Sequence, residues 1–226
     1  MAGLDPNIEV QGSLRSMFTG IVDHTGIIRE MNRTPRGLVL RIESEFTEIV
    51  LGESIAIDGV CLTVTQFEGG TFSVELSPET EKLTTCRNYQ SGSLVNLERA
   101  MKASDRFGGH WVSGHVEQTA RISKIVSHKE FKEMVFSGVA NERHSFLTPK
   151  GSITVNGVSL TMNEVYEDGF SVMLIPHTLE RTNLKDLAEG SEVNIECDWM
   201  AKMVVNEVRQ LFKTMGPKNF LERGML

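Results

Sequence analysis

Apolar and polar residues alternate with a period of two along most of the chain. Leu38, Leu40 and Ile42 alternate with Val39, Arg41 and Glu43, the pattern of a strand that buries one face. Ile55 and Ile57, then Val60, Leu62 and Val64, flank Asp58-Gly59. Ile153 and Val155, then Val158, Leu160 and Met162, flank Asn156-Gly157 in the same way. Asp-Gly and Asn-Gly supply the positive φ angles of a type I′ turn, so both stretches predict the same tight hairpin. Phe72, Val74 and Leu76, then Val95 and Leu97, predict further short strands. About six short strands per ~100 residues, punctuated by Gly or Pro, predict a small closed barrel. Helical spacing is confined to short connections such as 78–83 and to the C-terminus. There Val204, Val205, Val208, Leu211 and Phe212 share one face, with Lys202, Asn206, Arg209 and Lys213 facing away. The helix is expected over 199–213, stopped by Gly216-Pro217, with a loose tail over 214–226.

The second hairpin is a copy of the first. Ser54–Val64 (SIAIDGVCLTV) returns as Ser152–Met162 (SITVNGVSLTM), and Phe72–Thr80 as Phe170–Thr178. Gly92–Glu98 returns as Gly190–Glu196. About 18 of 48 positions are identical without a gap, which makes the two halves a tandem repeat of nearly 100 residues, far longer than a solenoid unit. Met17–Val22 aligns with Trp111–Val116 after a shift of four residues. The expected organisation is a leader over 1–16, one barrel over 17–110, a second over 111–198, then the helix and tail. The helix lies outside both repeats, and two readings stay open: packing on its own barrel, or oligomerisation.

Composition narrows the function. The 226 residues are 40% hydrophobic and 23% charged, which places the chain among globular proteins. Lys plus Arg number 23 against 30 acidic residues, a net charge of −7; phosphate contacts need clustered cations, so nucleic acid is a poor partner. No apolar run is long enough to span a membrane, and the start lacks a secretory pattern, so a cytosolic protein is expected. Cys61, Cys86 and Cys197 form no CxxC pair, which argues against a disulfide framework or structural zinc. His110 and His115 resemble a metal pair without a third ligand at recognisable spacing. Gly-rich stretches near Arg106 and Pro149 lack the ending of a phosphate loop.

Five strings carry a resemblance: MFTGIV at 17–22, GVCLTV at 59–64, GGHWVSGHV at 108–116, KGSITVNGVSLT at 150–161 and IPHTLERTN at 175–183. In this order and spacing they are similar to the riboflavin synthase family, from Met17 to about Phe212. The resemblance implies two six-stranded Greek-key barrels and a trimer joined through C-terminal helices. It also implies a site between the N-terminal barrel of one chain and the C-terminal barrel of its neighbour. Two molecules of 6,7-dimethyl-8-ribityllumazine would react there, with no metal, flavin or nicotinamide cofactor, and lumazine synthase is an admissible partner. A non-catalytic lumazine- or flavin-binding antenna protein is the competing reading. A flavin-reductase-like role is weaker, because no dinucleotide fingerprint is present.

The resemblance also implies a set of substrate-contacting residues, grouped copy by copy. In the first copy these are Gly20, Ile21 and Val22, then Cys61, Leu62 and Thr63. The strand end Glu75, Leu76, Ser77, Pro78, Glu79 and Thr80 completes that group. The second copy offers Gly114, His115 and Val116, then Ser159, Leu160 and Thr161. Met173, Leu174, Ile175, Pro176, His177 and Thr178 follow, and Lys150 adds a polar contact. A flat heterocycle bearing a polyol needs such hydroxyls and backbone groups around a partly apolar slot. His115 is a candidate for proton transfer because imidazole titrates near neutrality; the alternative is a His satisfied in a Gly-rich turn. Cys61 and Ser159 are equivalent positions, and the thiol is either a tuning nucleophile or ordinary core. Asp198 either orients the reacting pair or caps the terminal helix. Phe18 packs over a ring or in the core, and Ser54, Thr63 and Thr161 either bind ligand or line the barrels.

Overall fold

A computed structural model of the chain describes residues 16–35 and 37–222. Apart from Ser16, the expected leader lies outside them, as does the end of the tail. The first repeat forms β1 (His24–Thr34), β2 (Gly37–Glu43), β3 (Ser54–Ile57), β4 (Val60–Glu68), β5 (Thr71–Leu76) and β6 (Leu94–Arg99). They close antiparallel in the order β1-β2-β5-β4-β3-β6. The second repeat forms β7 (Gln118–His128), β8 (Phe131–Ser137), β9 (Ser152–Val155), β10 (Val158–Tyr166), β11 (Gly169–Leu174) and β12 (Glu192–Cys197). Renumbered, its closed order is the same. Short helices α1 (Pro78–Leu83), α2 (Asn141–His144) and α3 (Pro176–Arg181) lie between strands, and α4 (Trp199–Glu222) ends the described chain.

The alternation read from the sequence is the alternation of burial. Leu38, Leu40 and Ile42 are enclosed in the first barrel, together with Ile55, Ile57, Val60, Leu62 and Val64. Ile153, Val155, Val158 and Met162 are enclosed in the second, where Phe136 stacks on Phe170. Removing each such side chain from water contributes about 1.5–3 kcal/mol. Each barrel therefore closes on its own core.

Both hairpin turns have positive φ at each central residue: 45° and 79° at Asp58 and Gly59, 45° and 78° at Asn156 and Gly157. The two turns abut. A Cβ on Gly59 would lie 2.7 Å from the Gly157 nitrogen, so only glycine lets the repeats meet here. Asn96 and Asn194 cross this seam: Asn96 Nδ2 donates to the Asn156 carbonyl at 2.8 Å, and Asn194 Nδ2 to the Asp58 carbonyl at 2.9 Å.

The terminal helix differs from expectation in two ways. It continues past Gly216-Pro217 to Glu222; proline removes one backbone donor from a helix without necessarily ending it. Two of its polar residues, expected to face away, reach the second repeat instead. Lys202 pairs with Glu117, while Arg209 donates to Ser145 Oγ at 2.6 Å and lies over the Phe146 ring. Met200, Met203, Val204, Val208, Leu211 and Phe212 are exposed, as are the polar Asn206, Arg209 and Lys213. No helix among the described residues is long and apolar enough to cross a membrane.

Candidate functional site

The strings Met17–Val22 and Trp111–Val116 run just ahead of β1 and β7, and they meet. Phe18 N donates to the Val112 carbonyl at 2.9 Å, and Val112 N returns a bond to the Phe18 carbonyl at 3.1 Å. Beyond this bridge each string crosses to the other repeat's barrel. Ser159 N donates to the Gly20 carbonyl at 2.7 Å, and Cys61 N to the Gly114 carbonyl at 2.8 Å. Val22 packs on the core of the second barrel and Val116 on that of the first. The copy-by-copy grouping is thus corrected: Gly20-Ile21-Val22 stands with Ser159, and Gly114-His115-Val116 with Cys61. Sequence alignment pairs like with like and is blind to an exchange that keeps every local contact.

The crossing requires glycine twice. A Cβ on Gly114, at φ 75°, would sit 2.5 Å from Cys61 Cβ; one on Gly20, at φ 76°, would sit 2.7 Å from Ser159 Cβ. Carboxylates anchor both strings. Glu98 accepts from Thr19 N, Thr19 Oγ1 and Gly20 N at 2.7, 2.9 and 3.0 Å. Glu196 accepts from Ser113 N, Ser113 Oγ and Gly114 N at 2.8, 2.6 and 3.0 Å.

A cleft of about 150 Å³ opens where the second string meets the first barrel, lined by Val60, Cys61, Glu79, Thr80, Leu83, Thr84, Gly114, His115 and Val116. His115 is exposed on its wall, with Nδ1 3.1 Å from Ser113 Oγ. Ser77 caps α1 by accepting from Thr80 N, and Pro78 opens that helix. Burial raises the Cys61 thiol above its ordinary range, partly offset by hydrogen bonding with Ser54, so the protonated thiol dominates at neutral pH. Ser54 Oγ is 2.6 Å from Ser16 Oγ and faces a larger cavity of about 640 Å³, beside Thr19, Glu98, Arg99, Met101 and Arg106.

The equivalent place in the second barrel is built differently. His110 Nδ1 is 2.7 Å from Ser159 Oγ, and its Nε2 is 3.1 Å from Thr154 Oγ1. Burial lowers the His110 pKa, and the charge of Asp198 opposes the fall. A neutral imidazole held between two hydroxyls is a competent proton acceptor. Both ring nitrogens are engaged, which leaves neither free for a metal. Asp198 Oδ1 accepts from Met200 N at 2.8 Å, which makes it the cap of α4 as well as a neighbour of His110.

The other expected contact residues differ in burial. Leu76 and Leu174 are fully buried inside the barrels, where an inward-facing strand position must go. Leu62 is buried and Leu160 partly so. Phe18 is enclosed with Ala56 and Val112, against which Cys61 and Ala100 pack, and it does not line the cleft. Glu75, Thr63, Thr161, Met173, Ile21, Ile175 and His177 are exposed; Pro176 and Thr178 are partly buried on α3. Lys150 sits at φ 66° in the turn before β9, its N donating to the Met162 carbonyl at 2.8 Å. Ser16, His110, Glu98 and Glu196 were not singled out as site residues. The Glu98/Glu196 identity in the repeat was a signal for the last two.

The family model for the "Lumazine binding domain" matches this chain twice, over residues 19–100 and 113–198. Riboflavin synthase of Bacillus subtilis (strain 168) is 45% identical over 190 residues, covering 82% of this chain and 87% of that protein. The Escherichia coli (strain K12) riboflavin synthase is 37% identical over 198 residues, 86% and 93% of the two chains. The crystal structure of LumP complexed with 6,7-dimethyl-8-(1'-D-ribityl) lumazine superposes with a TM-score of 0.71 at 24% identity, over 80% of this chain and 99% of LumP. Matched twice by one domain model, and by curated enzymes across most of its length, the chain belongs to the riboflavin synthase family of lumazine-binding proteins and is an enzyme of that type.

Proposed function

We propose that the enzyme dismutates two molecules of 6,7-dimethyl-8-ribityllumazine, the last step of riboflavin biosynthesis. A four-carbon unit passes from one to the other, giving riboflavin and 5-amino-6-ribitylaminouracil. The observation that carries this reading is the duplicated slot: Cys61 under the Gly114 carbonyl in one barrel, Ser159 under the Gly20 carbonyl in the other. A reaction between two copies of one compound calls for two like slots, and holding the pair in fixed opposition supplies proximity catalysis. The relatives named riboflavin synthase support the substrate, and the lumazine and riboflavin complexes of LumP support the ligand class.

One lumazine must lose a proton from its 7-methyl group, and the other must accept a nucleophile at C7. Ser159 Oγ takes the methyl proton while passing its own to His110 Nδ1, a step supported by their 2.7 Å contact, and the nearby Asp198 charge favours the imidazolium that forms. His115 and Cys61 serve the opposite slot, the thiol by packing against and polarising the ring rather than as a thiolate. The 150 Å³ cleft is smaller than the ~300–1,000 Å³ of a typical small-molecule site. A ligand in it projects outward, which supports a second chain covering it. The outward apolar face of α4 supports the same arrangement, three copies joined through their terminal helices in the cytoplasm.

Incubation with 6,7-dimethyl-8-ribityllumazine alone is expected to raise riboflavin absorbance as the lumazine disappears. Tight binding without turnover would favour the antenna reading instead. Deleting 201–226 is expected to reduce the particle to monomers by sedimentation; an unchanged particle removes the helix from assembly.

A further inference from the structure

The two buried carboxylates that hold the crossing strings have no part in the chemistry above. Glu98 stands on β6 of the first barrel, yet the string it holds delivers Gly20 to Ser159 on β10 of the second. Glu196 stands on β12 of the second barrel and holds the string that delivers Gly114 to Cys61 on β4 of the first. We propose that Glu98 and Glu196 are crossed positioning residues, each fixing the backbone wall of the slot in the barrel to which it does not belong.

The physical reason lies in the donors. Two successive backbone N–H groups and a hydroxyl converge on each carboxylate, which stands on a strand of the string's own repeat. Only an acceptor with two oxygens satisfies all three, and a buried N–H left without one is costly. An amide at the same place presents its own NH₂ to one of the N–H groups, donor against donor. The string is then released from its anchor while both barrel cores, built from other residues, remain closed. The slot lost is in the opposite repeat.

That these slots receive the two lumazines rests on the function proposed above, so the test has one arm independent of it. Cys61 is half-buried beneath the Gly114 string, whereas Cys86 and Cys197 are buried in the two cores. In the intact protein, Glu196→Gln is expected to speed labelling of Cys61 by a small disulfide reagent about tenfold or more, and Glu98→Gln to leave it unchanged. With Cys61→Ser and Ser159→Cys as the reporter, the two effects are expected to exchange. If Glu196→Gln exposes all three cysteines at once, Ser113→Ala, which removes one of the three bonds, is read in its place. The second arm is turnover of 6,7-dimethyl-8-ribityllumazine, where both Gln variants are expected to raise KM about tenfold with a smaller change in kcat. Glu→Asp variants that still reach the N–H pair are expected to recover part of it. Uncrossed labelling, labelling equal in the two variants, or an unmoved KM would overturn the proposal. A wild-type protein that turns over no lumazine would sink the reading of function instead, and the labelling arm would still decide the crossing.

Discussion

The two repeats fold alike and are furnished differently. Strand order, hairpin turn, carboxylate anchor and crossing glycine recur in both. Where the first slot has Cys61 with Ser54 and Ser16 nearby, the second has Ser159 with His110, Thr154 and Asp198. Where the seam has Asp58 on one side it has Asn156 on the other. Backbone requirements and their carboxylate anchors are thus duplicated, while the side chains around Cys61 and Ser159 are not. In the proposed dismutation, two identical slots would give neither lumazine a distinct role, so the chemistry would enter through the differences.

That comparison can be broken at its shared element first. Gly114→Ala forces a Cβ against Cys61 at positive φ, and a loss of about 2–5 kcal/mol is expected. Gly20→Ala should cost a similar amount, measured by denaturant unfolding. If either is tolerated within a few tenths of a kcal/mol, the crossing is not tight.

The asymmetry is tested next. His110→Gln should lower kcat by about 10²–10⁴-fold, whereas Ser16→Ala, at the equivalent place beside Cys61, should stay within about tenfold. Equal losses in steady-state assays would make the two slots chemically alike. Cys61→Ser, which turns the first slot toward the second, should reduce turnover by less than about tenfold, because burial already keeps the thiol protonated. An abolished reaction would restore the thiol as a nucleophile.

The smallest effect belongs to the seam. Asp58 Oδ1 accepts from Asn96 N and Asn183 Nδ2, and Oδ2 from Tyr89 OH, yet burial pushes its pKa to about 7. The folded chain therefore holds a proton that the unfolded chain releases near 3.8. This contribution to stability is complete below that value and is lost as pH rises through about 7. Asp58→Asn, matching Asn156, should flatten the fall in melting temperature across that window; Glu98, pushed up to about 7 by burial, leaves part of the slope in place. An unaltered slope would mean that Asp58 is ionised throughout.

The strands, both type I′ turns and the repeat were legible because period-two burial and positive-φ turn residues are local properties. Leu38-Leu40-Ile42 needs no partner to declare its inner face. Cys61 opposite Ser159 was equally visible, as a break in an otherwise matched string. His110 was noticed only as half of a metal pair, since its partners Ser159 and Thr154 lie 49 and 44 residues away. The seat of the terminal helix stayed open for a related reason. Its apolar stripe was clear, but amphipathic spacing does not say whether that stripe turns to its own barrel or away from it.

By itself, then, the sequence determined two barrels, their hairpins and an inequality between two equivalent positions, all encoded within a few residues or in self-similarity. Only the tertiary structure decided that the strings before β1 and β7 exchange barrels. It also decided that Glu98 and Glu196 hold them and that Lys202 and Arg209 of α4 reach Glu117 and Ser145. Those choices depend on where unsatisfied N–H groups find acceptors some 80 residues away, a matter of space that no local pattern records.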